Sequence, residues 1–180
     1  VVTQGFIAGT ADGLRTTLGR EGSDYTAALM GHFLDAESVT IWKDVPGILN
    51  ADPRIVSNTV KIDRLTYYDA VELAYSGAQV IHPKTIRPLE NKKIPLYVKP
   101  FGDCTASGSM IVAEADPINI PVYIWRSNQV LITLRAKDFS FVLEESLSHI
   151  FDIIHRNRLK VSLIQSSAVT ISVCVDNTRF

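Results

Sequence analysis

The sequence predicts two units in succession: an α/β layer with a largely parallel sheet, then a smaller unit of alternating strands around one helix. Three observations carry this. Strand and helix patterns alternate through the first 112 residues, as they do where helices are laid on a sheet. Residues 113–121, Ala-Glu-Ala-Asp-Pro-Ile-Asn-Ile-Pro, hold two prolines and no helical period, which marks a linker and domain boundary. From Val122 onward the hydrophobic period shortens to two, with one helical stripe in between.

In chain order, Val1 to Ala8 reads as an opening strand. The start at Val1-Val2, with no methionine, leads us to expect a piece of a longer protein. A glycine-punctuated loop follows from Gly9 to Gly22. Tyr25, Ala28, Leu29, His32 and Phe33 then repeat at helical spacing, with Ser23 or Asp24 as the expected N-cap. Val39 to Trp42 reads as a short buried strand, stopped by the turn Asp44-Val45-Pro46-Gly47. A second helix is expected from Thr66, where Asp69 completes a capping box and Gly77 terminates. Thr85 to Lys92 suggests a short helix and Ile94 to Lys99 a strand. Beyond the boundary, strands are expected at Val122–Arg126, Gln129–Arg135, Val161–Gln165 and Val169–Val175. The helical stripe between them is Leu143, Leu147, Ile150, Phe151 and Ile154. This β-α-β-β run is a ferredoxin-like unit lacking its last helix and strand.

Composition narrows the function. The 180 residues are 46% apolar and 21% charged with net charge −1, a globular balance with no excess charge for nucleic acid or an anionic membrane. No apolar run approaches a membrane span. Cys104 and Cys174 match no metal spacing, so reduced structural thiols and a cytoplasmic location are expected.

The sharpest local signal is Gly19-Arg20-Glu21-Gly22-Ser23-Asp24. Glycines allow close backbone approach, the following helix N-terminus attracts anions, and Arg20 offers a fork for a carboxylate or phosphate. The plain alternative is a glycine-rich turn with an aspartate cap and a solvated arginine. Lys43 and Asp44 end a strand, where open α/β sheets bind ligands; Asp44 serves equally as a turn initiator. Arg54, after Asp52-Pro53, suits phosphate or plain solvent. His82, before Pro83, reads as a structural hydrogen-bonder, and Lys84 as a phosphate contact or a surface lysine. No Walker-type phosphate loop and no metal-ligand cluster occurs in the sequence. Asn128-Gln129 and Ser166-Ser167-Ala168 are short polar segments suited to an amino-acid ligand or to ordinary hairpin turns.

Taken together, these segments resemble the aspartokinases of the amino acid kinase family. The matching pieces are Thr3-Gln4-Gly5-Phe6, Thr16 to Ala28, Trp42 to Gly47, Asp52-Pro53-Arg54, Gly77 to Pro83 and Gly108 to Ile111, in the family's order and spacing. The resemblance implies that residues 1–112 are the C-terminal, nucleotide-side part of an amino acid kinase-type open sheet with flanking helices. Residues 113–121 would be the linker and 122–180 a partial ACT regulatory domain. It implies transfer of the γ-phosphate of ATP to the β-carboxylate of L-aspartate, the first step toward lysine, threonine and methionine. Asp24 would be the catalytic residue that orients phosphate-stabilising lysines. Arg20 and Ser23 would bind the substrate. Lys43, Asp44, Arg54, Gln79 and Lys84 would lie along the nucleotide, with Mg²⁺ travelling on ATP.

Two positions depart from the family: Leu49 stands where Tyr is common, and Gln79 where a nucleotide-contacting Lys is usual, with Lys84 as its compensation. The family's Lys-x-Gly-Gly-[Thr/Ser] segment would lie upstream of Val1. On that basis Asp24 is expected to have no lysine partner, and the chain alone no kinase activity. The ACT resemblance implies feedback by lysine or threonine, bound between paired units of a homo-oligomer. Its expected contacts are Phe139, Ser140, Val161, Ser162, Ser166 and Ser167. Lysine-sensitive relatives tend to carry aspartate where Ser162 stands. Two other readings stay open: an amino-acid-binding regulatory module without catalysis, and another amino acid kinase acting on glutamate or a nucleoside monophosphate.

Overall fold

The structure is a computed structural model that describes residues 2–78, 81–135 and 144–177. It divides into two compact units, Val1–Trp125 and Arg126–Phe180.

The first unit is built on a four-stranded sheet. Its strands are β3 (Val39–Lys43), β7 (Leu96–Pro100), β8 (Ser109–Val112) and β6 (Arg64–Thr66), in that spatial order. The pairs β3–β7 and β6–β8 are parallel, whereas β7 and β8 run antiparallel, so the sheet is mixed rather than largely parallel. The strand β8, an apolar run after Gly108, reverses direction because a short loop returns the chain beside β7 without a crossover helix. Leu65, Leu96, Val98 and Ile111 are fully buried at its centre.

The helices α1 (Gly22–Phe33), α2 (Tyr67–Ser76) and α3 (Pro83–Glu90) flank this sheet. In α2, Thr66 is the N-cap, its hydroxyl accepts from the Asp69 N–H, and the Asp69 carboxylate accepts from the Thr66 N–H, with Gly77 as C-cap. This is the expected capping box. Its Tyr67 is buried, donates to the Ile94 carbonyl at 2.6 Å, and has its phenol pushed up to about 12, by burial first and then by Glu90. In α3, His82 is the N-cap and Pro83 opens the first turn, where a missing N–H does no harm. Gly31 lets α1 approach β3 closely, since a Cβ there would lie 2.4 Å from Val39 Cγ2. His32 Nδ1 meets the Pro88 carbonyl at 2.7 Å and joins α1 to α3.

Four further expectations change. The opening strand is only β1 (Ile7–Gly9), and it pairs with β2 (Arg15–Thr17), inside what reads as a loop. Phe6 takes φ 74° and breaks the extended backbone ahead of β1; its N–H goes to Thr26 Oγ1 and its carbonyl accepts from Leu18 N–H. The N-cap of α1 is Glu21, at φ 54° in the left-handed region and without a side-chain cap; Ser23 and Asp24 fall in the first turn instead. Trp42 is 42% exposed, because along β3 it alternates with the buried Val39 and Ile41 and so lies on the opposite face. Val122–Arg126 is no strand. Ile118, Ile120 and Val122 pack on the first unit's core, and Tyr123 N–H bonds to the Asn50 carbonyl.

Two buried polar residues fix the loops after β3. The short hairpin β4 (Ile48–Leu49) with β5 (Lys61–Ile62) frames residues 50–60. Asn50 bonds Val60 through its own N–H and its Oδ1, and donates Nδ2 to the Pro121 carbonyl at 3.0 Å. Ser109, fully buried, accepts from Ile48 N–H at 2.8 Å and donates to the Ile62 carbonyl at 2.6 Å. Such buried polar groups carry partners because an unmatched one is costly.

The second unit is a three-stranded antiparallel sheet in the order β10 (Val161–Ser166), β11 (Thr170–Asp176), β9 (Gln129–Arg135). The helix α4 (Glu144–Arg156) connects β9 to β10. Leu147, Ile150 and Ile154 of α4 pack on Ile171, Val173 and Val175 of β11, as the stripe and the alternation of β11 predict; Phe151 of the expected stripe is instead 42% exposed, and Leu143 lies outside the described residues. No helix among the described residues is long and apolar enough to cross a membrane.

Candidate active site

The glycine-rich loop and the N-terminal turn of α1 come together with the carboxyl end of β3. Lys43, the last residue of β3, donates Nζ to Asp24 Oδ2 at 2.7 Å, with the two side chains 23% and 15% exposed. A charge-assisted bond this sheltered holds the ammonium at a fixed point. Asp24 therefore has a lysine partner within this chain, contrary to expectation; the partner is Lys43, which the β3 edge brings alongside α1.

Lys84, at the start of α3, reaches the same loop. Its Nζ donates to the Leu18 carbonyl at 2.8 Å and lies 5.7 Å from the centre of the Tyr25 ring. The loop thus has a lysine from α3 beside Leu18 and Gly19, and a lysine from β3 on Asp24. Helix α1 adds the positive end of its dipole.

The other sequence-predicted residues stand as follows. Arg20 has a 70% exposed side chain with Nε 3.9 Å from Glu21 Oε1, so its fork is directed largely to solvent. Glu21 Oε2 is buried without a hydrogen bond. Ser23 and Asp44 are exposed. Arg54 is held by Asp52, accepting residue of both Nε and Nη2, with Nη2 at 2.7 Å from Oδ2. The pair holds the Asp52 carboxyl below its usual value, through the Arg54 side-chain and backbone hydrogen bonds, and raises Arg54. His82 Nδ1 accepts from the Lys84 N–H at 3.2 Å, a structural role as expected. Gln79 lies outside the described residues. Among the described residues no group of three or more His, Cys, Asp or Glu side chains is placed to hold a metal ion.

In the second unit, a polar relay crosses the three strands at one end. Arg126 Nη2 and Gln129 Nε2 donate to Asp176 Oδ1 at 3.2 and 2.7 Å, and Ser162 Oγ donates to Gln129 Oε1 at 2.7 Å. Lys160 Nζ lies 3.6 Å from the other Asp176 oxygen. The Gln129 amide, then Arg126 and Lys160, keep the Asp176 carboxyl below its usual value against the opposing effect of burial. Ser167 closes the β10–β11 turn, with its Oγ 2.7 Å from Thr170 Oγ1, which is the hairpin-turn reading of that segment. Ser166 is exposed beside it, and Val161 is half-buried. Phe139 and Ser140 lie outside the described residues.

Sequence reasoning missed Ser109, Asn50 and Thr26, which fix the loops rather than line them. Only Ser109 left a trace, as a hydroxyl opening an otherwise apolar run after Gly108.

A mixed open sheet flanked by helices, a glycine-rich loop at a helix N-terminus and an aspartate-held lysine at a strand's carboxyl end place this chain among the α/β proteins whose sites lie at the strand ends. The model of the amino acid kinase family matches residues 1–100. The chain belongs to that family. It is similar to the lysine-sensitive aspartokinase 3 of Escherichia coli, with 40% identity over 99% of this chain and 40% of that protein. The crystal structure of E. coli aspartokinase III in complex with aspartate and ADP is similar with a TM-score of 0.75 and 39% identity, over 97% of this chain and 39% of that one. Its complex with lysine and aspartate gives 0.72. The aspartate kinase of Clostridium acetobutylicum gives a TM-score of 0.80 at 26% identity, over 96% of this chain and 41% of that chain. The chain thus spans about two fifths of the length of these relatives.

Proposed function

We propose that this chain is the nucleotide-side and regulatory part of an aspartokinase, which transfers the γ-phosphate of ATP to the β-carboxylate of L-aspartate. The observation that carries this reading is the Lys43–Asp24 pair at 2.7 Å. Phosphoryl transfer needs little covalent help and much positioned positive charge, and an aspartate-held lysine at a strand end supplies it. Similarity to an aspartokinase solved with aspartate and ADP supports the same choice.

In this reading Asp24 orients Lys43, and Lys43 stabilises charge on the transferring phosphate. Arg20 grips a substrate carboxylate with its exposed fork, and Ser23 helps to position it. Asp44 and Arg54 lie along the nucleotide; Asp52 engages Nε and Nη2 of Arg54 and leaves its Nη1 for phosphate. Lys84 supplies the charge that Gln79 does not. Mg²⁺ arrives on ATP, its coordination completed by phosphate oxygens and water rather than by a protein cage.

The second unit is proposed as an ACT-type regulatory domain. Its strand order, with the third strand between the first and second, is that of the opening β-α-β-β of a ferredoxin-like unit. A feedback amino acid, lysine or threonine, would bind near Ser162, Ser166 and Ser167, with Val161, Phe139 and Ser140 beside it, at the seam of paired units in a homo-oligomer. The lysine in one E. coli aspartokinase III complex supports an amino-acid effector. The protein would act in the cytoplasm, at the head of lysine, threonine and methionine synthesis.

The test is Asp24→Asn and Lys43→Met in the native full-length protein. Each should lower kcat by about 100-fold or more, the scale of losing one positioned charge, with a smaller change in KM. Turnover within twofold of wild type in either variant would sink the assignment. Thermal unfolding with lysine, threonine and methionine in turn tests the regulatory half, since a ligand of the folded state raises Tm.

A further inference from the structure

The turn Asp44-Val45-Pro46-Gly47 leaves β3 beside the Lys43–Asp24 pair, and two buried features dictate its path. Gly47 has φ 148°, and a Cβ there would lie 2.5 Å from Ser109 Oγ and 3.1 Å from Ser109 N. The turn is therefore pressed against the start of β8. The next N–H, that of Ile48, is buried with Ile48 itself only 4% exposed, and its partner is the Ser109 hydroxyl at 2.8 Å. That hydroxyl spends its own proton on the Ile62 carbonyl at 2.6 Å, so its orientation is fixed. Lys61 closes the arrangement from outside: Nζ donates to the Gly108 carbonyl at 2.6 Å and to Ser107 Oγ at 3.2 Å, and its Cδ would be 3.2 Å from a Cβ on Gly47.

We propose that Ser109, backed by Lys61, is a positioning residue for nucleotide binding: it holds the 44–47 turn at the height at which Asp44 meets the nucleotide, while Lys43 stays fixed in β3 by its pairing with β7 and its bond to Asp24. This rests on the nucleotide reading given above. Ser109 touches no ligand itself. Its removal leaves the Ile48 N–H buried and unmatched, a penalty the turn relieves by swinging away from β8. The effect falls on the nucleotide and spares the acceptor, because Arg20 and Ser23 belong to α1 and its loop.

The experiment compares wild type, Ser109→Ala and Lys61→Met in the native full-length protein, with Mg-ATP affinity read by calorimetry and both KM values by steady-state kinetics. Ser109→Ala should weaken Mg-ATP binding about tenfold, the equivalent of one buried hydrogen bond, with kcat and KM for aspartate within about twofold. Lys61→Met keeps the apolar stem against Gly47 and should weaken binding about threefold in the same direction. Unchanged nucleotide affinity in Ser109→Ala, or a parallel loss in kcat and both KM values, overturns the proposal. Should Ser109→Ala fail to fold, Lys61→Met decides by the same criterion. A wild-type protein that binds Mg-ATP without phosphorylating aspartate removes the aspartokinase reading alone, and the affinity ratios still decide the role of Ser109. A wild-type protein that binds no nucleotide removes both.

Discussion

The two units hold their polar groups in opposite ways. In the first, the candidate loops are fastened from beneath by buried side chains that bond backbone: Ser109 to Ile48 and Ile62, Asn50 to Val60 and Pro121. The side chains proposed to meet ligand are then free to face solvent, as Arg20, Ser23 and Asp44 do. In the second, the polar groups bond one another across strands, Asp176 to Gln129 to Ser162, over a core of Ile171, Val173 and Val175. Leu131 and Leu163 stay 65% and 61% exposed. A deep core can anchor loops through backbone contacts. A thin one leaves side chains to organise the sheet end between themselves.

The largest effect should come from the deep core. Leu96→Ala, fully buried in β7, should destabilise by about 2–5 kcal/mol, whereas Leu131→Ala on the exposed face should stay within about 0.5 kcal/mol. Equal shifts of the two in denaturant titration would erase the distinction. Next comes the relay: Asp176→Ala should lose about 1–3 kcal/mol at neutral pH. The folded carboxyl of Asp176 titrates below its usual value, so its contribution is complete above the ordinary carboxylate range. It fades as pH falls through the lowered value. Wild type and variant should therefore converge in acid, and a gap that widens there would contradict the relay. Thr66→Ala, which removes the N-cap of α2, should cost about 1 kcal/mol by the same titration. Smallest is Asp152→Ala, which breaks an exposed pair with Arg156 and should change stability by about 0.3–0.5 kcal/mol.

What the sequence disclosed tracks how local the physics is. The capping box at Thr66 and Asp69 and the alternation of β11 depend on near neighbours and read directly from spacing; β9 shows no such alternation, with Ile132 and Leu134 exposed beside Leu131. The strand β2 did not, because Arg15-Thr16-Thr17 has no apolar alternation and is defined only by pairing with β1. The cap at Glu21 was hidden because a left-handed glutamate has no sequence signature beside the better-known caps Ser23 and Asp24. The candidate site was legible as a set of residues through the loop and the family resemblance. Its geometry was not. That Asp24 pairs with Lys43 follows from β3 lying at the sheet edge beside α1, and the reversal of β8 seats Ser109 under the turn.

Asn50 carries a mechanical consequence. Its amide and carbonyl grip residues 121 and 123, the stretch of chain that leads out of the first unit, while its Oδ1 and N–H grip Val60 at the far end of the loop that bears Arg54. One residue, through its side chain and its backbone, is thus a common rivet for a surface loop and an exit segment. A pull along residues 118–123 would load the Asn50 bonds to Pro121 and Tyr123, and the strain would arrive at the base of the Arg54 loop. Slack in that stretch would leave Asn50 bonded to Val60 alone.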